Sequence, residues 1–287
     1  MVAVREAATV REAATVVLVR DRPELEVLML RRNPAASFSP GASVFPGGGV
    51  DPGDRAPALA PRVVGDDDAA VSAELSLSAG GAGFKVAAAR ECFEEAGLLI
   101  ARDRHSRAPV HGFDGERRDR LARLRHELNA GRRSWADVLA AEDVVIDTRD
   151  VLVFAHWLTP LGSPRRYDTW FFVALAPDGD DGVHDDNELV ASSWARPVDV
   201  LAQHRGREID LIFPTMRTLT VLSQFATAGD AIAALRAVPR DAGAQPAVVA
   251  DGGGERVQLP HDRSGTFGWT VPLPDLDRAA LVREGVA

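Results

Sequence analysis

Cysteine is nearly absent from this chain of 287 residues, which has Cys92 alone. That excludes an intramolecular disulfide and every zinc or iron–sulfur site built on several thiolates, and it fits a reducing compartment. Long apolar runs are missing too. Stretches such as Val16 to Val19 and Val151 to Ala155 fall far short of the roughly 20 residues needed to cross a bilayer, so no membrane partner is expected. Glu6 and Glu12 interrupt the apolar N-terminus, unlike the h-region of a signal peptide, and the final Glu-Gly-Val-Ala matches no address or lipidation motif. A cytoplasmic location is expected. Nor is there an excess of positive charge: 33 Lys and Arg face 42 Asp and Glu, for a formal charge of -9. Such a chain has no sequence-independent pull on DNA or RNA, so no nucleic-acid partner is expected. An acidic protein can still act on a phosphorylated small molecule when divalent metal bridges the two anions.

What is present is enough to bury a proper core without staples. Residues 4–9 (VREAAT) recur at 10–15, too short a duplication to be a structural repeat. Residues 1–14 are read as an N-terminal extension. Thr15 to Arg20 and Leu25 to Leu30, separated by Asp21-Arg22-Pro23, read as a β-hairpin, and Ser43-Val44-Phe45 as a short strand before Pro46-Gly47-Gly48-Gly49. Between 55 and 85 small and turn-forming residues dominate, so most of that insert is expected to be irregular and mobile. Val86 to Ala96 reads as a helix capped by Gly97, with Leu98-Leu99-Ile100 resuming as a strand. A helical insert is expected over 113–142, where Leu121, Leu124 and Leu128 share a face and Ser134 with Asp137 forms a capping box. Val151–Leu158 and Thr169–Ala176 read as strands, and Pro197–His204 and Pro214–Phe225 as helices. Short apolar segments at Val257–Leu259 and Trp269–Val271 follow, so residues 229–287 are expected as a C-terminal extension on the same domain, which spans 15–228.

The sharpest feature is Arg90-Glu91-Cys92-Phe93-Glu94-Glu95-Ala96-Gly97-Leu98. On a helix Glu91, Glu94 and Glu95 project from one face, their side-chain roots about 5–6 Å apart. Like charges at this spacing repel and raise one another's pKa, so a cation should compensate. Arg90 can pair with a carboxylate, and Mg²⁺ or Mn²⁺ takes oxygen ligands from one or two carboxylates plus waters and phosphates. A solvated acidic helix face is the bland alternative. Against it stands Phe45-Pro46-Gly47-Gly48-Gly49-Val50-Asp51-Pro52-Gly53-Asp54, a flexible glycine backbone able to aim a carbonyl at a metal held by the helix. Cys92 and Phe93 fall off the acidic face and are expected in the core.

These segments resemble the Nudix hydrolases, whose box reads G-x5-E-x7-R-E-U-x-E-E-x-G-U with U apolar. Arg90, Glu91, Cys92, Glu94, Glu95, Gly97 and Leu98 fit its second half, and Gly48 followed by Asp54 fits its first half with Asp in place of Glu. An uninterrupted box would bring its arginine to position 62, and here it stands at 90, so 28 residues are inserted. Loop-closure entropy grows only logarithmically, so such an insertion is tolerable. The split box is similar to the subgroup that contains the peroxisomal coenzyme A diphosphatase, as are His156-Trp157-Leu158-Thr159-Pro160 and Pro164-Arg165-Arg166-Tyr167-Asp168-Thr169-Trp170-Phe171. Leu28, Arg32, Gly41, Phe45, Pro46, Gly47 and Gly48 match a coenzyme A signature of related enzymes, with Asn33 for its Ser or Ala and Ser37 for one of its arginines.

The resemblance implies a Nudix α/β/α sandwich with a mixed sheet, and periodicity by itself supports only mixed α/β. It implies Mg²⁺- or Mn²⁺-dependent hydrolysis of the diphosphate in a nucleoside diphosphate derivative. Coenzyme A or acyl-coenzyme A would give adenosine 3′,5′-bisphosphate and (acyl-)4′-phosphopantetheine. The alternatives are a Nudix enzyme for ADP-ribose, NADH or dinucleoside polyphosphates, left open by Ser37, and a catalytically silent nucleotide-binding module. Glu91, Glu94 and Glu95 are implied as metal-binding catalytic residues, one of them or a distal carboxylate serving as general base. Arg90 is implied to orient a glutamate and Asp54 to partner Arg90. The Gly48 carbonyl and Glu188, with Asp185 and Asp186 as rivals, are candidate further metal ligands. Arg31, Arg32, Arg165 and Arg166 are candidates for substrate phosphate, and equally for pairing with nearby acids. His156 reads as a strand residue satisfied by the core rather than a base, and Trp157 and Trp170 as packing residues. The implied partner is a small-molecule nucleotide, with a homodimer left open.

Overall fold

Apolar alternation decides the layers. In β1 (Val10–Asp21) Ala14, Val16 and Leu18 join one buried cluster and Val17 and Val19 another, the pattern of a strand covered on both faces. The computed structural model describes residues 9–35, 40–111, 115–159, 165–179, 181–182, 189–237, 247–251 and 254–258. After β1 come β2 (Leu25–Arg32), β3 (Ser43–Val44), β4 (Gly47–Gly49), two 3₁₀ turns, β5 (Val63–Val64), α1 (Asp68–Glu74) and α2 (Gly81–Ala96). Next are β6 (Arg102–Asp103), α3 (Gly115–Asn129), α4 (Trp135–Ala141), β7 (Val144–Asp147), β8 (Leu152–Leu158) and β9 (Arg166–Leu175). The chain continues through β10 (Leu189–Ala195), α5 (Pro197–Arg205), α6 (Phe213–Leu222), α7 (Ala228–Ala237), β11 (Ala247–Asp251) and β12 (Gly254–Gln258).

The main sheet runs β10-β2-β1-β9-β8, with β3 on β2 and β4 on β1. It is mixed, because β1 and β9 run parallel while their other neighbours are antiparallel. One face carries Ala14, Leu28, Leu30, Trp170 and Phe172 against Phe84, Ala88 and Cys92 of α2. The other carries Val17, Met29, Phe171 and Val173 against Leu201 of α5, Leu219 of α6 and Ile232 of α7. This is an α/β/α sandwich. Cys92 is fully buried, and burial pushes its thiol pKa up, so it is an inert core group. Trp157 and Trp170 are buried packing residues, Trp157 edge-on to Phe213 at 5.7 Å. Among the described residues no helix is long and apolar enough to cross a membrane.

Several expectations need correction. β1 begins at Val10, so the second copy of the duplication is strand rather than extension, pairing with β4 and β9. Leu98, Leu99 and Ile100 are buried but form no strand, since the chain there crosses the core between α2 and β6. The 55–85 insert is folded: it holds two 3₁₀ turns, β5 and α1, and buries Leu59, Val71 and Leu75. Leu59, Val71 and Leu75 reach the core beside α2, and that burial outweighs a composition that otherwise suggests coil. The helices expected over 113–142 are α3 and α4, with the Ser134–Asp137 capping box in place. α7 is part of the domain core; Leu259 and Trp269–Val271 lie outside the described residues.

The insert also builds the start of α2. Gly80 is its N-cap and brings no side chain, so the exposed helix N–H groups need another acceptor. Asp68 supplies it, accepting from Gly80 N–H at 2.9 Å and Ala82 N–H at 3.0 Å, while Ser72 Oγ accepts from Gly81 N–H at 2.9 Å. We expect Asp68→Ala to lower stability by about 1–2 kcal/mol in urea unfolding. An unchanged midpoint would show that solvent caps this helix equally well.

Candidate active site

The acidic face of α2 lies over β4. Gly47 N–H donates to Glu95 Oε2 at 2.9 Å. A Cβ on Gly48 would stand 2.5 Å from Glu91 Oε1, so any other residue here would have to displace that carboxylate. Gly48 opposes Ala14 of β1, which anchors the glycine strand to the sheet centre. At the far end of α2, Gly97 takes the left-handed conformation at φ 71° and returns its N–H to Phe93 O at 3.0 Å. Arg125 of α3 donates to the carbonyls of Glu94 and Glu95, both at 2.7 Å, and Asn129 to that of Glu94 at 3.3 Å. Cationic and amide donors thus satisfy the last carbonyls of the helix. Neither Arg125 nor Asn129 is flagged by the box itself.

Arg90 is the hub. Its Nε and Nη2 reach both oxygens of Asp54 at 2.8 and 3.0 Å, Nη2 also meets Gly49 O at 2.8 Å, and Nη1 meets Glu91 Oε1 at 2.9 Å and Glu94 Oε2 at 2.6 Å. Asp54 therefore partners Arg90 as a bidentate, buried carboxylate despite being one methylene shorter than the glutamate of the box. Arg55 secures the same junction, donating to Glu12 Oε2 at 2.6 Å and Gly80 O at 3.1 Å while lying over Phe84. Both ends of the insertion are thus tied to one point, which is how the two half-boxes meet across 28 added residues.

The electrostatics follow from burial. Desolvation pushes Glu91 up from 4.5 to about 7; Arg90 opposes the shift, and the charges of Glu94 and Asp54 add to it. Glu94 is raised as well, by burial and by Asp54 and Asp51, against Arg90. For Arg90, burial opposes the charge, but its hydrogen bond to Asp54 and the charges of Glu91, Asp54 and Glu94 outweigh it and raise its pKa. The carboxylates hold more negative charge than one guanidinium neutralises.

Among the described residues no three His, Cys, Asp or Glu side chains form a ready ligand shell for a metal ion. The reason is visible: Arg90 stands between Glu91 and Glu94, and Glu95 is turned to Gly47. The donor chemistry nevertheless fits a hard divalent cation, since one or two carboxylates completed by waters and phosphate oxygens suffice for Mg²⁺. Glu91 and Glu94, with the Gly48 backbone against Glu91, offer that set. Glu188, Asp185, Asp186 and Ser37 lie outside the described residues.

The candidate phosphate-binding arginines divide. By strand alternation Arg32 shares the α2 face with Leu28 and Leu30, and Arg31 shares the opposite face with Met29. Arg166 lies on the α2 face of β9 and donates to Thr159 O at 3.1 Å, while Arg165 is exposed just before that strand. The structure therefore does not gather all four. His156 is a buried strand residue as expected, with Nε2 bonded to Asp168 Oδ1, but among the described residues its Nδ1 has no partner.

A mixed sheet between helical layers, with the R-E-x-x-E-E helix crossing a triple-glycine strand, is the architecture of the Nudix hydrolases. A family model for the NUDT19 Nudix domain matches residues 66–222, more than half of the chain, and the chain belongs to that family. It is similar to the human acyl-coenzyme A diphosphatase NUDT19, 32% identical over 152 residues that cover 51% of this chain and 40% of the relative. Its likeness to the Gallus gallus protein of the same name is 28% over 159 residues, covering 51% and 42%. The match thus spans about two fifths of the length of these relatives. Among solved structures it is similar to a Nudix hydrolase from Alicyclobacillus acidocaldarius, at 27% identity and a TM-score of 0.63, covering 79% of this chain and 97% of the other. Nudix hydrolases generally use divalent metal ions, in keeping with the donor set at Glu91 and Glu94.

Proposed function

We propose that this protein hydrolyses the diphosphate linkage of coenzyme A or an acyl-coenzyme A to adenosine 3′,5′-bisphosphate and (acyl-)4′-phosphopantetheine, with Mg²⁺ or Mn²⁺. The observation that carries the reading is the pair of partly buried carboxylates, Glu91 and Glu94, the first held against the Gly48 backbone, with too little positive charge around them. The likeness to acyl-coenzyme A diphosphatases supports the choice of substrate.

Glu91 and Glu94 would hold the cation, with Glu95 fixing the glycine strand beneath it through Gly47. When bound, the metal neutralises diphosphate oxygens and lowers the pKa of a coordinated water. Arg90 keeps Asp54 and Gly49 and so fixes the helix against the turn while releasing the two glutamates. One of these glutamates or a distal carboxylate would accept the proton of the attacking water. Arg32 and Arg166, on the α2 face, would contact phosphate oxygens.

The test is product analysis with Mg²⁺ or Mn²⁺ on coenzyme A, acetyl-coenzyme A, ADP-ribose, NADH and a diadenosine polyphosphate. Coenzyme A substrates should be cleaved fastest, and Glu94→Gln should cut turnover by about 100-fold or more. Full activity in Glu94→Gln would remove that residue from the site. Preference for ADP-ribose or NADH would replace the substrate assignment.

A further inference from the structure

One register row of the sheet runs from the catalytic turn to a buried histidine. Gly48 opposes Ala14, Ala14 opposes Trp170 and Trp170 opposes His156. Cross-strand partners share a face, so His156 and Trp170 lie on the α2 face, the side that bears Glu91. Their rings stack at 4.1 Å and an interplanar angle of 3°. Two residues before Trp170, and on the same face, Asp168 receives His156 Nε2. His156 is 6% exposed, whereas the Asp168 side chain keeps 30% of its surface in solvent.

The orphaned Nδ1 decides where the proton sits. A buried N–H without an acceptor costs more than a buried lone pair, and an imidazolium would bury such an N–H here. The proton therefore resides on Nε2, pointing at Asp168. That leaves Asp168 as the acceptor, with one oxygen held by His156 and the side chain partly open to solvent. Asp168 opposes Glu12 of β1, and Glu12 O accepts from Val50 N–H at 3.0 Å. Two strand spacings, about 10 Å, thus separate Asp168 from the turn beneath Glu91. That is too far for a part in the bond being cut, and it is the distance at which a group beyond the diphosphate would lie.

We propose that Asp168, oriented by His156 on the Trp170 ring, is a specificity-determining residue that accepts a hydrogen bond from a neutral hydroxyl or amide N–H on the substrate beyond its diphosphate. An ionised carboxylate repels phosphate and accepts from donors, which selects that chemistry. His156 acts through Asp168 and is a positioning residue. The inference rests on the diphosphatase reading above.

The test uses the full chain with Asp168→Asn, His156→Leu and His156→Gln. Readouts are kcat and KM for coenzyme A, calorimetric binding of ADP and of 4′-phosphopantetheine, and ¹⁵N NMR of the imidazole. Asp168→Asn should raise KM by about 10- to 100-fold with kcat nearly unchanged, because an amide accepts less strongly than a carboxylate. His156→Leu should do the same, and His156→Gln, which keeps a donor for Asp168, should recover most of the loss. Weaker binding of ADP alone would place the donor on the nucleoside, and weaker binding of phosphopantetheine alone on the other arm. The wild-type imidazole should be the Nε2–H tautomer. Unchanged KM and unchanged binding of both fragments in Asp168→Asn, or an Nδ1–H tautomer, would overturn the inference. If the wild type cleaves no diphosphate substrate, the functional reading fails, while fragment binding still decides the role of Asp168.

Discussion

Replacing Arg90 by methionine is expected to destabilise the protein by about 3–5 kcal/mol at pH 8, the range for stripping one partner from a buried ionic network. The guanidinium is 7% exposed and compensates Asp54, whose side chain is 1% exposed, as well as Glu91 and Glu94. Methionine fills much of the volume, so the loss measures uncompensated charge rather than a cavity. It also removes a side chain that ties the two half-boxes together through Asp54 and Gly49, so activity should fall with stability. Because protonated carboxylates need no counter-charge, the deficit should shrink near pH 5. A pH-independent deficit in urea unfolding would mean that Arg90 acts mainly by packing.

Glu91→Gln should separate stability from activity. Glu91 rises from 4.5 to about 7 on folding. Below pH 4.5 both states hold the proton and the folded form keeps its full stability; between 4.5 and about 7 the unfolded chain releases the proton first. In chelator, the wild type should therefore lose stability as pH rises through this window, by up to about 3 kcal/mol for this shift. The lowered pKa values of Asp137 and Asp147 act below this window and leave its slope unchanged. Glutamine at 91 cannot ionise, so the variant should be more stable than wild type at pH 8 without metal and nearly equal at pH 5. Its turnover should drop by about 100-fold or more, since a carboxylate that would hold the cation is gone. Magnesium should raise the melting temperature of the wild type at pH 8 and leave the variant little changed. Equal stability of the two proteins across pH 5–8 would show that Glu91 is not held against a desolvation cost.

Much of this site is legible in the chain because it is local. The i, i+3, i+4 spacing of Glu91, Glu94 and Glu95, the glycine after the helix and the glycine run before Asp54 each follow from backbone geometry within a few residues. The near-continuous apolar runs of β1, β2 and β9 likewise suit a sheet buried on both faces. Composition misled where a few large residues did the folding, as Leu59, Val71 and Leu75 do in the insert. It also misled at Leu98–Ile100, where an apolar run crosses the core without pairing.

Sequence by itself determined the local chemistry: a carboxylate helix, its glycine C-cap, a glycine strand able to approach it, and the faces of the strands. Only the tertiary structure decided which distant groups meet. Asp68 reaches the start of α2 from inside the insert, Arg125 reaches its end from α3, Arg90 closes on Asp54 across 36 positions, and His156 finds Asp168 across the β8–β9 pair. Spacing along the chain carries helix and strand periodicity, but partners that meet through strand register and helix packing leave no fixed interval to read.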